Sequence, residues 1–427
     1  MRPVRVCSIA YDFYPFDIRV RRLSEAAIAA GVTVSVICLR DRGESAFEIC
    51  DGVRVYRVPQ TRIYGAPLLV SILGWLWFTL LSGAVVSWLH LRHRFSVIIA
   101  HNMPDFLIFA ALIPRLLGAT IALDVEDVSP ELMEAKAHGK RAKRMLRVLA
   151  TWQERLSIAF AHHIITVGWP FEQALAQRGV KAEDQTVIIN SADPKLFPAE
   201  RVSDSVEGND PERPFTFMYY GTAAERNGLD TAVRALAIAC ETEPRLRFDL
   251  MGRGEELAAL EQLAQQLGVT ERLRFFPPCP SENIVDFVTR GDAGIIPYRC
   301  DGFAELVLPT KAYEMAWMRR PIVASDTPAI RSMFRPGSVL LCDPNNPEEF
   351  ARAMVAVCQQ PELRSHMVAQ AAEDYEPMRW DVVRRKYQDL LVALANRSTT
   401  GREPSFASLS ALSPGPTSGP RDLSAVE

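Results

Sequence analysis

The sequence lacks the cysteine patterns that mark disulfide frameworks and metal sites. Its eight cysteines are scattered, mostly in or beside apolar runs, and no two of them have metal-ligand spacing. Buried, reduced thiols in a cytosolic protein are therefore the expected state. The apolar stretch at the N-terminus is too short for a signal-peptide core, which also favours a cytoplasmic location.

An excess of either charge is also missing. The chain has 48 Lys and Arg against 51 Asp and Glu, a net charge of −3, so it has no general attraction for nucleic acid. No repeat of solenoid length is present. With 48% hydrophobic and 23% charged residues the composition is that of a globular protein, and 427 residues predict two domains.

Short apolar, β-branched runs alternate with helical patterns along the whole chain. Runs that are apolar on both faces and separated by helices are typical of parallel sheets with both faces covered. Two such series predict an α/β protein with two doubly wound, Rossmann-like domains. The predicted strands are 4–10, 32–39, 53–58, 96–101, 120–125, 163–168 and 186–190, then 215–221, 246–252, 273–276, 293–298, 321–326 and 339–343.

Loss of periodicity marks the domain boundaries. The stretch 190–214 collects Pro, Asp, Ser and Gly, and the end of the chain becomes a Ser/Pro/Gly sequence that cannot form a core. The predicted organisation is a first domain at 1–198, a linker at 199–214, a second domain at 215–378 and a disordered tail at 397–427.

One long apolar segment, 63–94, interrupts the first domain. It has no charged residue from Ile63 to Leu89 and, at ~1.5 Å per residue, is long enough to cross a bilayer. A crossing would place strands of one sheet on opposite sides of the membrane, so a span is rejected. A buried helical hairpin or a segment that dips into one leaflet remains.

A basic run, KAHGKRAKRMLR at 136–147, lies in the same domain and contains no acid. Such runs are usually solvated faces. Because Trp75, Trp77 and Trp88 of the apolar segment suit a membrane interface, the two features together predict peripheral contact with an anionic membrane.

Two glycine turns follow predicted strands of the second domain. In YYGTAAERNGLD the predicted strand ends at Gly221, and Arg226 and Gly228 precede the next predicted helix. In MGRGEE, Gly252 and Arg253 likewise lie between a predicted strand and a predicted helix. A helix N-terminus favours a bound anion, whereas an ordinary turn with a solvated Arg is the alternative. Two such turns in register favour a phosphate-bearing ligand.

A third loop, PTKAYEMA, opens another helix. Thr310 can cap this helix, and Lys311 and Glu314 lie three residues apart on one helical face. The pair could form a surface salt bridge. Alternatively, Lys311 binds a phosphate and Glu314 binds two sugar hydroxyls.

These blocks, in this order, resemble the retaining GT-B glycosyltransferases of the family-4 type, in a subgroup of bacterial glycan and polysaccharide biosynthesis. The resemblance covers roughly residues 3 to 395 and includes YDFYPFDIRVRRLSEAAIAAG, FSVIIAHNMPDFLIF, IITVGWPFEQALAQRGV, LPTKAYEMAWMRRPIVASD and MRWDVVRRKYQDLL. It implies two domains facing across a cleft, with a helix at 379–396 crossing back onto the first.

The resemblance also implies a function. The second domain would hold a nucleotide-diphosphate sugar and the first a glycan or lipid-linked acceptor, without metal ion or other cofactor. Donor contacts would come from the three loops, with Arg226 at the diphosphate and Glu314 at the ribose. The donor residues are Gly221, Arg226, Gly228, Gly252, Arg253, Thr310, Lys311 and Glu314.

Several positions depart from the family pattern. Thr222 and Asn227 stand where the family often has Arg and Lys, and Leu306 stands where it has a first glutamate. The family's histidine near the reacting sugar falls at Glu126, beside Asp127. The catalytic candidates are therefore Glu126 and Asp127, which would orient hydroxyls, and Arg226, which would stabilise the departing phosphate.

Two other functions fit the same frame. A sugar-nucleotide epimerase would need no acceptor, but the NSADPKLF and PTKAYE blocks and the apolar segment argue against it. A degenerate glycosyltransferase-like binding subunit would explain the changed positions Thr222, Asn227, Leu306 and Glu126. Against it, Arg226, Lys311 and Glu314 are kept.

Overall fold

The computed structural model describes residues 4–62, 67–136, 139–203, 213–300 and 305–400. Two compact units are formed. One contains the chain up to Asn190 together with the C-terminal helix from Asp381, and the other contains Ser191–Trp380.

The first unit is built on an eight-stranded sheet in the order β3-β4-β2-β1-β5-β6-β7-β8. Its strands are β1 Arg5–Ala10, β2 Thr33–Leu39, β3 Phe47–Cys50, β4 Val53–Val58, β5 Val97–His101, β6 Thr120–Val125, β7 His163–Thr166 and β8 Gln185–Val187. All neighbours are parallel except β3 and β4. The order reverses at β1, which pairs with β2 on one side and β5 on the other.

Helices cover both faces of this sheet. They are α1 Ile18–Ala29, α2 Leu68–His93, α3 Leu112–Leu116, α4 Ser129–Lys136, α5 Lys140–Phe160 and α6 Trp169–Gln177, with a 3-10 turn at Asp105–Ala111 before α3. Of the two alternatives left for the apolar segment, the buried helical hairpin is wrong. Its described part is one continuous helix, α2, because neither of its glycines, Gly74 and Gly83, ends the helix. Residues 63–66 of that segment lie outside the described residues.

The second unit has a six-stranded, fully parallel sheet in the order β11-β10-β9-β12-β13-β14. The strands are β9 Phe215–Thr222, β10 Leu246–Arg253, β11 Leu273–Phe276, β12 Ala293–Ile296, β13 Ile322–Ser325 and β14 Leu340–Cys342. The helices are α7 Leu229–Thr242, α8 Leu257–Gln266, α9 Ile284–Arg290, α10 Thr310–Trp317, α11 Pro328–Met333, α12 Pro347–Gln359 and α13 Pro361–Tyr375. The prediction of two doubly wound α/β sheets is confirmed.

The last helix, α14 Trp380–Thr400, packs on the first unit. Gln388 donates to the carbonyl of Ala26, and Arg397 donates to the carbonyl of His162. The helix was predicted at 379–396, so the first residues assigned to the tail at 397–427 are helical. Residues 401–427, and 204–212 of the predicted linker, lie outside the described residues.

The prediction of buried cysteines is confirmed for half of them. Cys7, Cys38, Cys342 and Cys358 are buried free thiols, whereas Cys300 is exposed and the other three are half-buried. Cys300 follows β12 in a loop, where no core surrounds it.

Candidate active site

Two glycines bring the ends of β9 and β10 together. Gly221 and Gly252 are register partners on the neighbouring strands. A Cβ on Gly252 would lie 1.8 Å from the Gly221 carbonyl oxygen, so no side chain fits there. Gly228, with a φ of 60°, precedes α7, and a Cβ on it would lie 1.9 Å from the Pro297 oxygen. At the carboxyl edge of the sheet, the backbone beside β9 is therefore not covered by side chains of these glycines. The strand order reverses at β9, and doubly wound sheets bind ligands at such a point.

Lys311 is buried beside this edge. Its side chain comes from the first turn of α10, and its Nζ donates to the Tyr298 hydroxyl at 3.1 Å and lies 3.9 Å from the ring centre of Tyr219. The same Nζ would lie 3.2 Å from a Cβ on Gly221. Burial works to lower the pKa of Lys311, but Tyr298 and Tyr219 outweigh it and the pKa is raised. The ammonium is therefore charged at neutral pH and held at the end of β9.

Glu314 lies one turn further along α10 and has a different partner. Its Oε2 accepts a 2.7 Å hydrogen bond from the Tyr220 hydroxyl. Burial, and then the Glu314 carboxylate, raise the pKa of Tyr220 well above its ordinary value, so Tyr220 stays a donor. Lys311 and Glu314 thus present a cation and an oriented carboxylate on one helix.

Arg226 and Arg253 occupy the two glycine turns. Arg226 lies in a 3-10 turn at Glu225–Asn227 and is exposed, and Arg253 ends β10 and is exposed. The backbone of the Arg226 turn is fixed, because its carbonyl accepts from the Arg299 N–H. Of the altered family positions, the two in the first glycine turn differ in exposure: Thr222 is exposed and Asn227 is buried.

The predicted cap of α10 is wrong. Pro309 occupies the N-cap position and Thr310 is the first helical residue, exposed and without a side-chain capping hydrogen bond. The restricted backbone angle of proline suits entry into a helix. The helix therefore begins at Thr310, one residue before the start that a Thr310 cap would give. The Thr310 hydroxyl is therefore presented at the helix N-terminus.

The first unit has its own polar cluster at the carboxyl ends of β5 and β6. Asp124 accepts two hydrogen bonds from Arg19, at 2.6 and 2.8 Å, and a third from His101 Nδ1 at 2.8 Å. Glu126 lies close by, with Oε1 3.6 Å from His101 Nδ1 and 3.9 Å from Arg19 Nε. The second ring nitrogen of His101 is buried and has no hydrogen-bond partner among the described residues.

The charges of this cluster shift its titration. Burial alone would raise the pKa of Asp124, but Arg19 and His101 hold it well below its usual range. Burial and then the negative charge of Asp124 raise the pKa of Glu126 to about 7, although His101 opposes the shift. Burial works against the protonated His101, yet its hydrogen bonds to Asp124 and Glu126 raise its pKa to about 9. Glu126 is the member whose charge changes near neutral pH.

His101, Asp124 and Glu126 are also the residue types that ligate metals. Their donor atoms all lie within 4.8 Å of one another. Arg19, however, bonds both oxygens of Asp124 and is itself buried. A divalent ion placed between these donors would face a fixed guanidinium, so the donor set does not fit a metal.

A hydrogen-bond chain fixes the loop that carries Glu126 and Asp127. Asn102 Oδ1 accepts from both backbone N–H groups, at 2.7 and 3.2 Å. Asn102 Nδ2 donates to Asp105 at 2.8 Å, and the other oxygen of Asp105 accepts from Gln153 at 2.9 Å. The loop position is therefore linked through the buried Asp105 to helix α5.

Sequence reasoning missed several members of these sites. Tyr220, Tyr298, His101 and Asn102 were not singled out as site residues. For His101 a signal existed, because it ends the predicted strand 96–101 and is the register partner of Asp124. The tyrosines gave no such signal, since they belong to apolar strands or loops.

The chain matches two family models. Residues 17–191 match the glycosyl transferase 4-like domain, and residues 201–374 match the glycosyl transferases group 1. Together the two matches take in most of both units.

Curated relatives are similar over part of their length. A D-inositol 3-phosphate glycosyltransferase from Thermomonospora curvata is 25% identical over 40% of this chain and 41% of the relative. One of the same name from Geodermatophilus obscurus is 32% identical over 32% of this chain and 31% of the relative. The chain thus covers less than half of either relative.

Solved structures are similar over nearly the whole chain. Sucrose-phosphate synthase from Thermosynechococcus elongatus aligns with a TM-score of 0.71 at 17% identity, over 92% of this chain and 99% of that one. Anabaena HepE in complex with UDP-glucose aligns with a TM-score of 0.62 at 17% identity, over 91% and 98%. These likenesses establish the GT-B fold, and with the two matched domains they show that the chain belongs to the GT-B glycosyltransferases.

Proposed function

We propose that the protein transfers a sugar from a nucleotide-diphosphate sugar to a glycan or lipid-linked acceptor. The observation that carries this proposal is the carboxyl edge of the second sheet. There Lys311 and the open backbone at Gly221 offer a site for a diphosphate, and Glu314 offers a carboxylate to a pair of ribose hydroxyls. A buried cation suits the diphosphate of a nucleotide, and a carboxylate on the same helix suits its ribose hydroxyls.

Transfer would retain the anomeric configuration by a same-face displacement. The bond from the sugar to the diphosphate breaks, the acceptor oxygen bonds to the same face, and the leaving phosphate takes the acceptor's proton. Lys311 and Arg226 would stabilise the charge that develops on the phosphate, aided by the N-terminus of α7. No protein nucleophile and no metal ion are needed in this scheme.

The acceptor side would lie in the first unit. Glu126, held by the Asn102 chain and half-buried, is placed to accept a hydrogen bond from a sugar or acceptor hydroxyl, and Asp127 follows it. We assign the enzyme to the cytoplasmic face of the cell membrane, as a peripheral protein acting in glycan or polysaccharide biosynthesis. The reduced thiols and the apolar surface of α2 support that assignment.

The nucleotide is the first thing to test. Because HepE was solved with UDP-glucose, UDP heads a thermal-shift panel that also contains GDP, ADP and TDP. One nucleotide should raise the melting temperature of the wild type and not that of Glu314→Ala, since a ligand stabilises the state it binds. Glu241→Ala, an exposed carboxylate on α7, is the matched control and should respond like the wild type.

The result also separates the competing functions. If no nucleotide stabilises the folded wild type, the proposal fails in favour of a degenerate binding subunit. Donor turnover that yields an altered free sugar nucleotide and needs no acceptor would instead identify an epimerase.

A further inference from the structure

Exposed apolar side chains are concentrated in one part of the first unit. Most of the large hydrophobic residues that are exposed in the described chain belong to α2, to the 3-10 turn with α3, and to α5. In the described part of the second unit only Leu267 reaches that exposure. A concentration of this kind marks an interaction surface rather than the ordinary scatter of surface apolar residues.

Helix α2 supplies the first part. One side of it packs into the core through Phe78, Val86 and Leu89. The other side exposes large apolar residues at helical spacing along its whole length, with Leu80 at 68% exposure. The exposed residues are Leu68, Leu69, Val70, Leu73, Leu76, Trp77, Leu80, Trp88 and Leu91.

Helix α3 and its preceding turn continue this surface. Both contact α2, and the turn also contacts α5. The backbones come close at Gly83, where a Cβ would lie 3.4 Å from the Cα of Ala110. The exposed apolar residues here are Phe109, Leu112, Ile113, Leu116 and Leu117, with Leu116 at 77%. The exposed residues of α2, the turn and α3 therefore belong to elements that pack against one another.

Helix α5 supplies the third part and is amphipathic. Met145, Leu149, Trp152 and Leu156 follow one another at steps of three and four residues, and all are exposed, Trp152 by 60%. The opposite side of the helix, including Glu154, is buried. The outward side thus extends the apolar face of α2 and α3.

The charge around this face has one sign. Exposed basic residues are Arg92 on α2 and Arg141, Lys143, Arg144, Arg147 and Arg155 on α5. The two acids within the same elements, Asp105 and Glu154, are buried, and Glu154 pairs with Arg178. An apolar face with a cationic border is complementary to an anionic lipid surface, where tryptophan and arginine sit at the headgroups.

Helix α2 is long and apolar enough to cross a membrane, and most of its apolar stretch is not buried in the protein. The sheet excludes that arrangement. The helix connects β4 to β5, and both strands belong to one sheet through β2 and β1. A crossing helix would separate β4 from β5 by the thickness of the bilayer. If the protein binds a membrane, α2 must therefore lie along its surface.

We propose that this face of α2, α3 and α5 docks the protein on one leaflet of an anionic membrane, with α2 lying in the plane of the headgroups. This proposal rests on the proposed function, because it assumes a lipid-linked acceptor. It adds the surface through which the protein reaches the membrane that contains this acceptor. Trp77 and Trp152 enter the boundary of the acyl chains, and Arg144 and Arg155 contact the headgroups.

Vesicle sedimentation of the full chain tests the docking. The wild type should bind phosphatidylcholine vesicles containing phosphatidylglycerol, less at high salt, and should not bind phosphatidylcholine alone. The double change Leu149→Gln and Trp152→Gln should weaken binding at least about tenfold, and Arg144→Gln with Arg155→Gln by about tenfold. Leu267→Gln is the matched control and should bind like the wild type.

Three results would overturn the proposal. The wild type could ignore anionic vesicles, the Leu149 and Trp152 variant could bind as well as the wild type, or the face could instead drive a concentration-dependent oligomer. Nucleotide-induced stabilisation, measured on the same samples, keeps the two proposals apart. Nucleotide should stabilise every surface variant as it stabilises the wild type. If nucleotide does not stabilise the wild type, the proposed function fails, whereas the proposed membrane docking is not affected.

Depth-dependent quenching tests the orientation of α2. Trp77 lies near the middle of the helix, so a spanning helix would place it near the bilayer centre. Brominated lipids should quench the Trp77 signal, isolated by subtracting Trp77→Phe, more strongly with bromine near the headgroup than near the chain end. The reverse order would show that Trp77 lies deep among the acyl chains and would overturn the in-plane arrangement.

Discussion

The Tyr220 hydroxyl donates a 2.7 Å hydrogen bond to Glu314 Oε2 and so ties the end of β9 to helix α10. One carboxylate oxygen is thereby oriented by a buried phenol whose pKa stays well above its ordinary value. The side chain proposed to bind ribose is therefore positioned before a nucleotide arrives, which lowers the ordering cost of binding.

Tyr220→Phe should weaken donor binding without removing the carboxylate. The KM for the donor should rise by roughly tenfold, the cost of one hydrogen bond to a charged group, with kcat little changed. Steady-state kinetics measure this. Tyr313→Phe is the control. Tyr313 lies next to Glu314 on α10, and its buried hydroxyl has no hydrogen-bond partner among the described residues. Equal KM values for the two variants would remove Tyr220 from the donor site.

Gly228→Ala should disrupt the helix entry that faces the diphosphate. Gly228 and Gly268 both have positive φ, 60° and 71°, but a Cβ on Gly228 would clash with the Pro297 oxygen whereas the space around Gly268 is open. Gly268→Ala should cost only the left-handed backbone strain of about 1 kcal/mol. Gly228→Ala should lower the melting temperature further and abolish nucleotide stabilisation. Similar melting curves for both variants would show that the loop simply moves aside.

Much of the fold followed from pattern because buried parallel strands are apolar on both faces. The strand β3 was missed because it lacks this pattern of apolar residues on both faces. Its residues, Phe47–Cys50, alternate between exposed and half-buried, and it pairs antiparallel at the sheet edge. Helix α2 is apolar all round its sequence, so no pattern distinguished its core side from its exposed side.

The site was predictable to the extent that it lies at strand ends. Glycine turns and the Lys311–Glu314 spacing located the donor loops. The partners of these two residues, Tyr298 and Tyr220, come from a distant loop and strand, and their pairing depends on packing that spacing does not encode.

Chelation should leave activity unchanged. Arg19 donates hydrogen bonds to both carboxylate oxygens of Asp124. The cluster that Asp124 forms with His101 and Glu126 therefore has no place for a divalent ion. Activity assayed with excess EDTA should match the untreated enzyme. A loss restored by adding a divalent metal would contradict the metal-free scheme.

Asp105→Leu should impair use of the acceptor and spare the donor site. The change removes both oxygens that join Asn102 to Gln153, and leaves the Asn102 amide short of one acceptor. The loop carrying Glu126 would lose its support, so transfer should fall about tenfold or more, while nucleotide stabilisation stays normal. Gln153→Leu, which breaks only the outer bond, should have a smaller effect. Equal loss of donor binding would indicate general unfolding instead.

The pH dependence of kcat/KM should show Glu126 ionising. Its raised pKa of about 7 means that the carboxylate, the form able to accept a hydrogen bond from a substrate hydroxyl, forms only as the pH rises through about 7. Activity should therefore rise across that range, and Glu126→Gln should lose both the rise and most of the turnover. Full turnover in that variant would show that no ionised group is needed at Glu126.

The same shifts act on stability with the opposite sign. For Glu126 the folded pKa lies above the ordinary 4.5, so its stabilising effect is complete below about 4.5 and lost as the pH rises to about 7. For His101 the loss runs from the ordinary 6.5 to about 9. Activity gained between pH 6 and 8 should thus coincide with falling resistance to denaturant, and His101→Gln should flatten the upper part of that fall. A denaturation midpoint of the first unit that stays constant across this range would show that neither group is shifted in the folded protein.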